Sequence, residues 1–244
     1  MIRNRWLPIA GAALSAAVVT LVQGDARAAA SAAEAPGFGL VFQHSSMWGT
    51  LGGTLANPVP LALVNPISGD VWVIRDSSRN TVHVRIRAEG LEPGHVYSTI
   101  FFGFNDPAAC VSPQGPSPCW SFDLLSNPAA EATSFRVAAK IADEKGRLDE
   151  SLYVRGDEAP SLVVFGSGFV DYGVASLNVA LRDQGPAQSD PELLALQLSN
   201  PNSNCLQTPL GIGLGNGTYD CSLPQIAIFA APGGPQPGQP WPRQ

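Results

Sequence analysis

Imidazole chemistry in this chain rests on three residues, His44, His83 and His95. His83 opens the run His83-Val84-Arg85-Ile86-Arg87, in which polar and apolar residues alternate. A period of two puts His83, Arg85 and Arg87 on one face of a strand, with Val82, Val84 and Ile86 on the other. Such a positive stripe can receive the carboxylate or sulfate of a ligand. It equally suits an ordinary strand face paired with neighbouring acids. These three residues are the candidate ligand surface. His95 falls inside a corner between two expected strands and is assigned a structural place.

No other residue pattern assembles a reactive centre. A copper–zinc dismutase site needs a cluster of histidines with a His-x-His pair, and none is present. No metal ligand set and no cofactor are therefore expected. Gly166-Ser167-Gly168 lacks the Gly-x-Ser-x-Gly elbow of a nucleophilic serine. Paired acids occur at Asp143/Glu144, Asp149/Glu150 and Asp157/Glu158. A glycosidase needs two carboxylates roughly 5 to 9.5 Å apart in a cleft. These pairs fall at turns and strand ends among polar residues, where a solvated edge explains them. No catalytic residue is assigned. Arg155-Gly156-Asp157 and the sequon Asn216-Gly217-Thr218 are short enough to arise by chance. Trp48, Trp72 and Trp120 are read as core; an exposed tryptophan would instead point to sugar stacking.

The cysteines are Cys110, Cys119, Cys205 and Cys221. An even count in an oxidising compartment reads as two disulfides, with three possible pairings. Cys110 with Cys119, and Cys205 with Cys221, is the favoured set. Each pair encloses a segment rich in Pro, Gly, Ser and Asn that has little to bury.

The elements that position these groups are mainly strands. Val71 to Arg75 and Thr81 to Glu89 flank a turn at Asp76 to Asn80. His95 to Phe104 is apolar on both faces and reads as a covered central strand. Phe135 to Ile141 and Leu148 to Val154 flank the turn Asp143-Glu144-Lys145-Gly146, as a hairpin would. Leu162 to Phe165, Ala175 to Leu181 and Ile226 to Phe229 add three more, and Gly39 to Gln43 and Leu61 to Val64 are early strands. One helix is signalled by Asp190 as cap and Pro191 at the first position, ahead of Glu192-Leu193-Leu194-Ala195-Leu196.

Glu89-Gly90-Leu91-Glu92-Pro93-Gly94-His95-Val96-Tyr97 joins two of these strands. It resembles the tyrosine corner of fibronectin type III and related sandwiches, where a tyrosine hydroxyl bonds to backbone a few residues upstream. More widely, Val82 to Tyr97, Phe104-Asn105-Asp106-Pro107 with Cys110, and Arg182-Asp183-Gln184-Gly185-Pro186 before Cys205 resemble a group of exported bacterial proteins without an assigned activity. The resemblance implies a secreted, β-rich chain and transfers no catalytic residue. The expected fold is all-β, an elaborated Greek-key β-sandwich of immunoglobulin or fibronectin type with one short helix.

Arg3 and Arg5, the apolar run Trp6 to Val22 and the triplet Ala26-Arg27-Ala28 read as a signal peptide over residues 1–28, cleaved after Ala28 or Ala30. A single sandwich domain is expected over 29–231, and a Pro/Gly-rich flexible tail over 232–244. The chain carries 14 Lys+Arg against 20 Asp+Glu, a net charge of −6. Removing residues 1–28 leaves 11 basic and 19 acidic residues, a net −8. With no basic run, an electrostatic nucleic-acid binder is excluded. No later stretch is apolar enough to cross a bilayer. The functional expectation is a secreted or periplasmic binding, adhesion or envelope-associated module with an extracellular or envelope ligand. The alternative is a carboxylate-dependent hydrolase or lyase acting on extracellular polysaccharide.

Overall fold

The computed structural model describes residues 40–51, 62–111, 119, 121–156, 163–166, 168–200, 204–206, 217 and 219–232. The expected signal peptide, residues 233–244 of the tail, Trp120, Ser167, Asp157/Glu158 and the Asn216 and Thr218 of the sequon lie outside them. Along the chain run β1 (Leu40–Leu51), β2 (Ala62–Asp76), β3 (Thr81–Ala88), β4 (His95–Phe104), helix α1 (Ser121–Ser126), β5 (Ala132–Ile141), β6 (Leu148–Arg155), β7 (Val163–Phe165), β8 (Ser176–Pro186), helix α2 (Pro191–Ser199) and β9 (Ser222–Phe229).

The chain is mostly β, as expected, but the strands do not separate into two sheets. They form one sheet in the order β6-β3-β2-β1-β9-β8-β4-β5-β7, with every pairing antiparallel. The joint is β9, which pairs Ile226 with Trp48 of β1 and Ala227 with Val179 of β8. The last strand thus fuses what would otherwise be two sheets. Apart from the short β7, the strands curl into a nearly closed barrel. The curl follows from one connection. Only residues 142–147 separate β5 from β6, although the two stand near opposite ends of the strand order. The expected hairpin therefore supplies its turn but not its ladder, because β6 pairs with β3 and β5 with β4. That turn is set by Asp143, whose carboxylate accepts from the backbone N–H groups of Lys145 and Arg147. Gly146 takes φ +67°, and a Cβ there would stand 2.2 Å from the Leu91 carbonyl oxygen.

The interior is lined by the inward residues of both walls, among them Val71, Val73, Val84 and Ile86 opposite Phe101, Leu177, Val179 and Phe229. β4 and β8 are buried on both faces; β4 reads accordingly as a mainly apolar run, whereas β8 also buries Asn178, Arg182, Asp183 and Gln184. Outside them a second cluster of Ile100, Phe102, Ala180 and Ile226 is covered by Leu124 of α1 and by Trp48. β3 alternates between core and solvent. Among the described residues, one half of the wall is therefore covered, and no element lies over the half made of β1, β2, β3 and β6.

Residues 168–175 close one mouth of the barrel. Phe169 and Tyr172 are buried and stacked at 4.6 Å. Asn80 binds this segment at Val170 O and Tyr172 N–H, and Asn105 binds it at Gly168 O and Val170 N–H. Arg75, wholly buried on β2, donates to Tyr172 O, Ala175 O, Ala230 O and Gln43 Oε1. Burial pulls its guanidinium down to about 9, so it remains charged at neutral pH.

Both favoured disulfides are present, with Cα–Cα distances of 5.1 Å for Cys110–Cys119 and 5.3 Å for Cys205–Cys221. Among the described residues two α-helices occur where one was expected. α2 begins as its cap dictates, the Asp190 carboxylate accepting from the N–H groups of Glu192 and Leu193. At its other end Arg136 of β5 donates to the carbonyls of Leu198 and Ser199, placing a cation at the negative end of the helix.

Candidate functional site

Strand register assembles the bare half of the wall from four strands. His44, Trp72, Arg85 and Ser151 stand side by side across β1, β2, β3 and β6. The row on one side is Phe42, Ile74, His83 and Tyr153, and the row on the other is Ser46, Asp70, Arg87 and Asp149. Every one of these residues points away from the core, because their sequence neighbours Val71, Val73, Val84 and Leu152 point into it. The face mixes charged and polar side chains with Phe42, Trp72, Ile74 and Tyr153. Phe42 is 69% exposed and Tyr153 59%.

Trp72 lies at the centre, half-buried. The expectation that it belongs to the core is corrected: an odd-even step from Val71 and Val73 sends its ring outward. The His44 ring tilts over it at 5.4 Å, and the Arg87 guanidinium lies 5.6 Å from its centroid. His44 Nε2 contacts Asp70 at 2.7 Å. Trp48, by contrast, packs half-buried against the covered half, as expected of a core residue.

The candidate residues His83, Arg85 and Arg87 share this face. His83 Nε2 meets Ser151 Oγ at 2.7 Å. Arg85 Nη2 and Arg87 Nε both approach a single oxygen, Asp149 Oδ2, at 3.4 and 3.5 Å. Two exposed cations thus share one carboxylate oxygen at long range. Such exposed pairs are each worth well under 1 kcal/mol, so they yield readily to a better partner.

Where Arg87 ends the face, a cleft of about 450 Å³ opens beside the β5–β6 turn. Arg87, Lys140 and Arg147 line it together with Glu89, Asp143 and Asp149. Arg147 grips Asp143 through Nε and Nη2 at 3.0 and 2.8 Å and holds its carboxyl below the ordinary range. Lys140 Nζ donates to the backbone carbonyl of Asp149 at 2.5 Å and has no carboxylate within ion-pair distance among the described residues.

The remaining reactive side chains lie apart from this face. Asp149 and Glu150 point to opposite sides of β6, so this acid pair does not converge. Glu150 faces the seam between β6 and β5, where Thr99 donates to its carboxylate at 2.8 Å; desolvation there raises its carboxyl above the usual value. His95 Nδ1 stands 3.1 Å from both oxygens of the buried Asp183, which also accepts from Gly185 N–H and Tyr219 O–H. Burial, with Asp183 alongside, pushes the Tyr219 phenol up to about 12. This cluster ties the segment carrying the Cys205–Cys221 bridge to the end of β8. In the corner, the Tyr97 hydroxyl accepts from Glu92 N–H at 2.9 Å. Among the described residues no group of three His, Cys, Asp or Glu gathers around a common point, and no helix is long and apolar enough to cross a membrane.

No protein-family model, curated protein or solved structure matches the chain. The site therefore stands on its own geometry. Reading charge alone picks out His83, Arg85 and Arg87 and misses Phe42, His44, Trp72 and Tyr153. Period-two spacing within Phe42-Gln43-His44 carries the missing signal, placing an aromatic ring and an imidazole on one strand face.

Proposed function

We propose that this chain is an exported, non-enzymatic binding module that holds an extracellular or envelope glycan on the outer face of β1, β2, β3 and β6. The observation that carries this reading is the row-by-row clustering of Phe42, Trp72 and Tyr153 with His44, His83, Arg85 and Arg87 on the one uncovered half of the barrel wall. The exposed rings of Phe42 and Tyr153 and the half-buried indole of Trp72 offer stacking surfaces for the apolar faces of sugar rings. The forked donors beside them supply directional hydrogen bonds to hydroxyl and acid groups. Exposed rings on one sheet face, set among cations that can bind polar groups, suit an interaction site better than a solvated surface. Two disulfides support the export reading, since such bonds persist in oxidising compartments.

The test is a glycan array followed by calorimetry on the disulfide-intact chain. Trp72→Ala and Tyr153→Ala are each expected to weaken a binding glycan about tenfold or more, equivalent to ~1.4 kcal/mol. A chain that binds no saccharide, or one whose binding is untouched by both substitutions, defeats the reading.

A further inference from the structure

We infer that the glycan is a carboxylated polysaccharide, a polyuronate, whose acid groups take over the place now held by the Asp149 carboxylate. This rests on the binding face proposed above and specifies its ligand. Arg85 and Arg87 are in register with Trp72 and Asp70, so a sugar stacked on the indole lies within reach of both guanidiniums. Both cations are directed at one oxygen of Asp149, at 3.4 and 3.5 Å, beyond the 2.7–2.9 Å of a strong charge-assisted contact. The Asp149 carboxylate is itself 59% exposed. The site is therefore already arranged around a carboxylate but holds it loosely. A uronate presents the same planar group with freedom to approach each fork squarely. The cleft next to Arg87 continues the pattern. Lys140 there donates to a backbone carbonyl and has no carboxylate within ion-pair distance among the described residues, and Arg147 is the next cation along. Successive acid groups of one chain would meet Arg85 and Arg87, then Lys140. A neutral glycan would use the rings and take only hydroxyl hydrogen bonds from these cations, without the charge-assisted contacts.

The experiment measures the full disulfide-intact chain against polygalacturonate oligomers, their fully methyl-esterified form, dextran sulfate and a neutral glucan. Polygalacturonate is expected to bind at least tenfold more tightly than its methyl ester and more tightly than dextran sulfate, and its binding to weaken as salt rises. Arg85→Gln with Arg87→Gln should cost about tenfold or more for polygalacturonate and severalfold less than that for the methyl ester, which has no acid groups to lose. Asp149→Asn supplies an outcome that misfolding does not imitate. It removes the internal competitor and is expected to raise polygalacturonate affinity severalfold. Equal binding of acid and ester, preference for dextran sulfate, or an Asp149→Asn variant that binds no better overturns the inference. In those cases the broader binding-face reading survives if Trp72→Ala still weakens whichever glycan binds. If none of the four probes binds but the array yields another glycan sensitive to Trp72→Ala, only the polyuronate assignment falls. If the array too yields nothing, both fall.

Discussion

Substituting alanine for Gly103 tests whether the barrel mouth is closed by aromatic rings wedged from residues 168–175. A Cβ at position 103 would stand 2.2, 2.4 and 2.8 Å from Cζ, Cε1 and Cε2 of Phe169. That ring has no simple escape. It is 4% exposed, stacks on Tyr172 at 4.6 Å and meets the edge of Phe135 at 5.2 Å. Two outcomes bracket the cost. Local overpacking absorbed by small shifts costs about 1–3 kcal/mol. Expulsion of the ring forfeits its burial, about 3–5 kcal/mol. Since neighbours hold the ring on two sides, a loss of about 3 kcal/mol is expected. Denaturant unfolding followed by far-ultraviolet circular dichroism reads this as a lower midpoint. A double-mutant cycle separates the mechanism from general damage. Phe169→Leu alone is expected to cost about 1.5 kcal/mol, and in the Gly103→Ala background close to nothing, because the clash and the ring disappear together. Gly103→Ala within about 0.5 kcal/mol of the parent, or two costs that simply add, refutes the wedge.

Tyr97→Phe deprives Glu92 N–H of its acceptor at the corner and is expected to cost about 1–2 kcal/mol in the same unfolding assay. Replacing Cys205 and Cys221 together by serine removes a bridge between residues 16 apart and is expected to cost about 3 kcal/mol. Hydrogen exchange at Tyr219 should rise with it, since that segment then keeps only hydrogen bonds such as Tyr219 to Asp183 and Asn204 to Gln184. Glu150 has a folded-state pKa raised by desolvation. Its stabilising contribution is thus full below its unfolded pKa and is lost as pH rises through the folded value. Glu150→Gln keeps an acceptor for Thr99 but does not ionise. The variant should match the parent in melting temperature at pH 4 and exceed it at pH 8; a parent more stable than the variant at pH 8 contradicts the assignment.

What was legible in the sequence was set by local physics. His95 to Phe104 matches β4 end to end, because a two-sided apolar run has only one way to be satisfied in a sheet. Asp190-Pro191 begins α2 through hydrogen bonds that span three residues. The cysteines pair with their nearest partners across segments too polar to order otherwise. Closure was not legible, because it depends on Trp48 meeting Ile226, a pairing that no nearby residue announces. α1 escaped notice because Ser121–Ser126 is too short to display a helical period. On β2, Val71, Trp72, Val73 and Ile74 are apolar on both faces, so the phase was ambiguous. The charged Arg75 then occupies the inward position that a hydrophobic rule assigns to solvent. Its burial is understandable only once the four acceptors, drawn from distant parts of the chain, are in place.

The unequal coverage of the barrel wall links fold to function. β4 and β9 are apolar outside as well as inside, so they require cover, which α1 and Trp48 supply, and β8 between them adds Ala180 to that outer cluster. The Cys110–Cys119 bridge packs into this covered side with Phe104 and Ala130. That half needs its outer residues for stability. β1, β2, β3 and β6 have no such need: their inner residues alone complete the core, and their outer residues are free to vary without loss of packing. Under stability alone those positions would drift to short polar or charged side chains, which keep exposed sheets soluble. They instead hold Phe42, Trp72 and Tyr153 in adjacent rows, with Arg85 and Arg87 sharing one weakly held carboxylate oxygen between them. Rings that gain nothing from the core, set beside cations only loosely satisfied by the protein, are what a surface built for an external ligand requires.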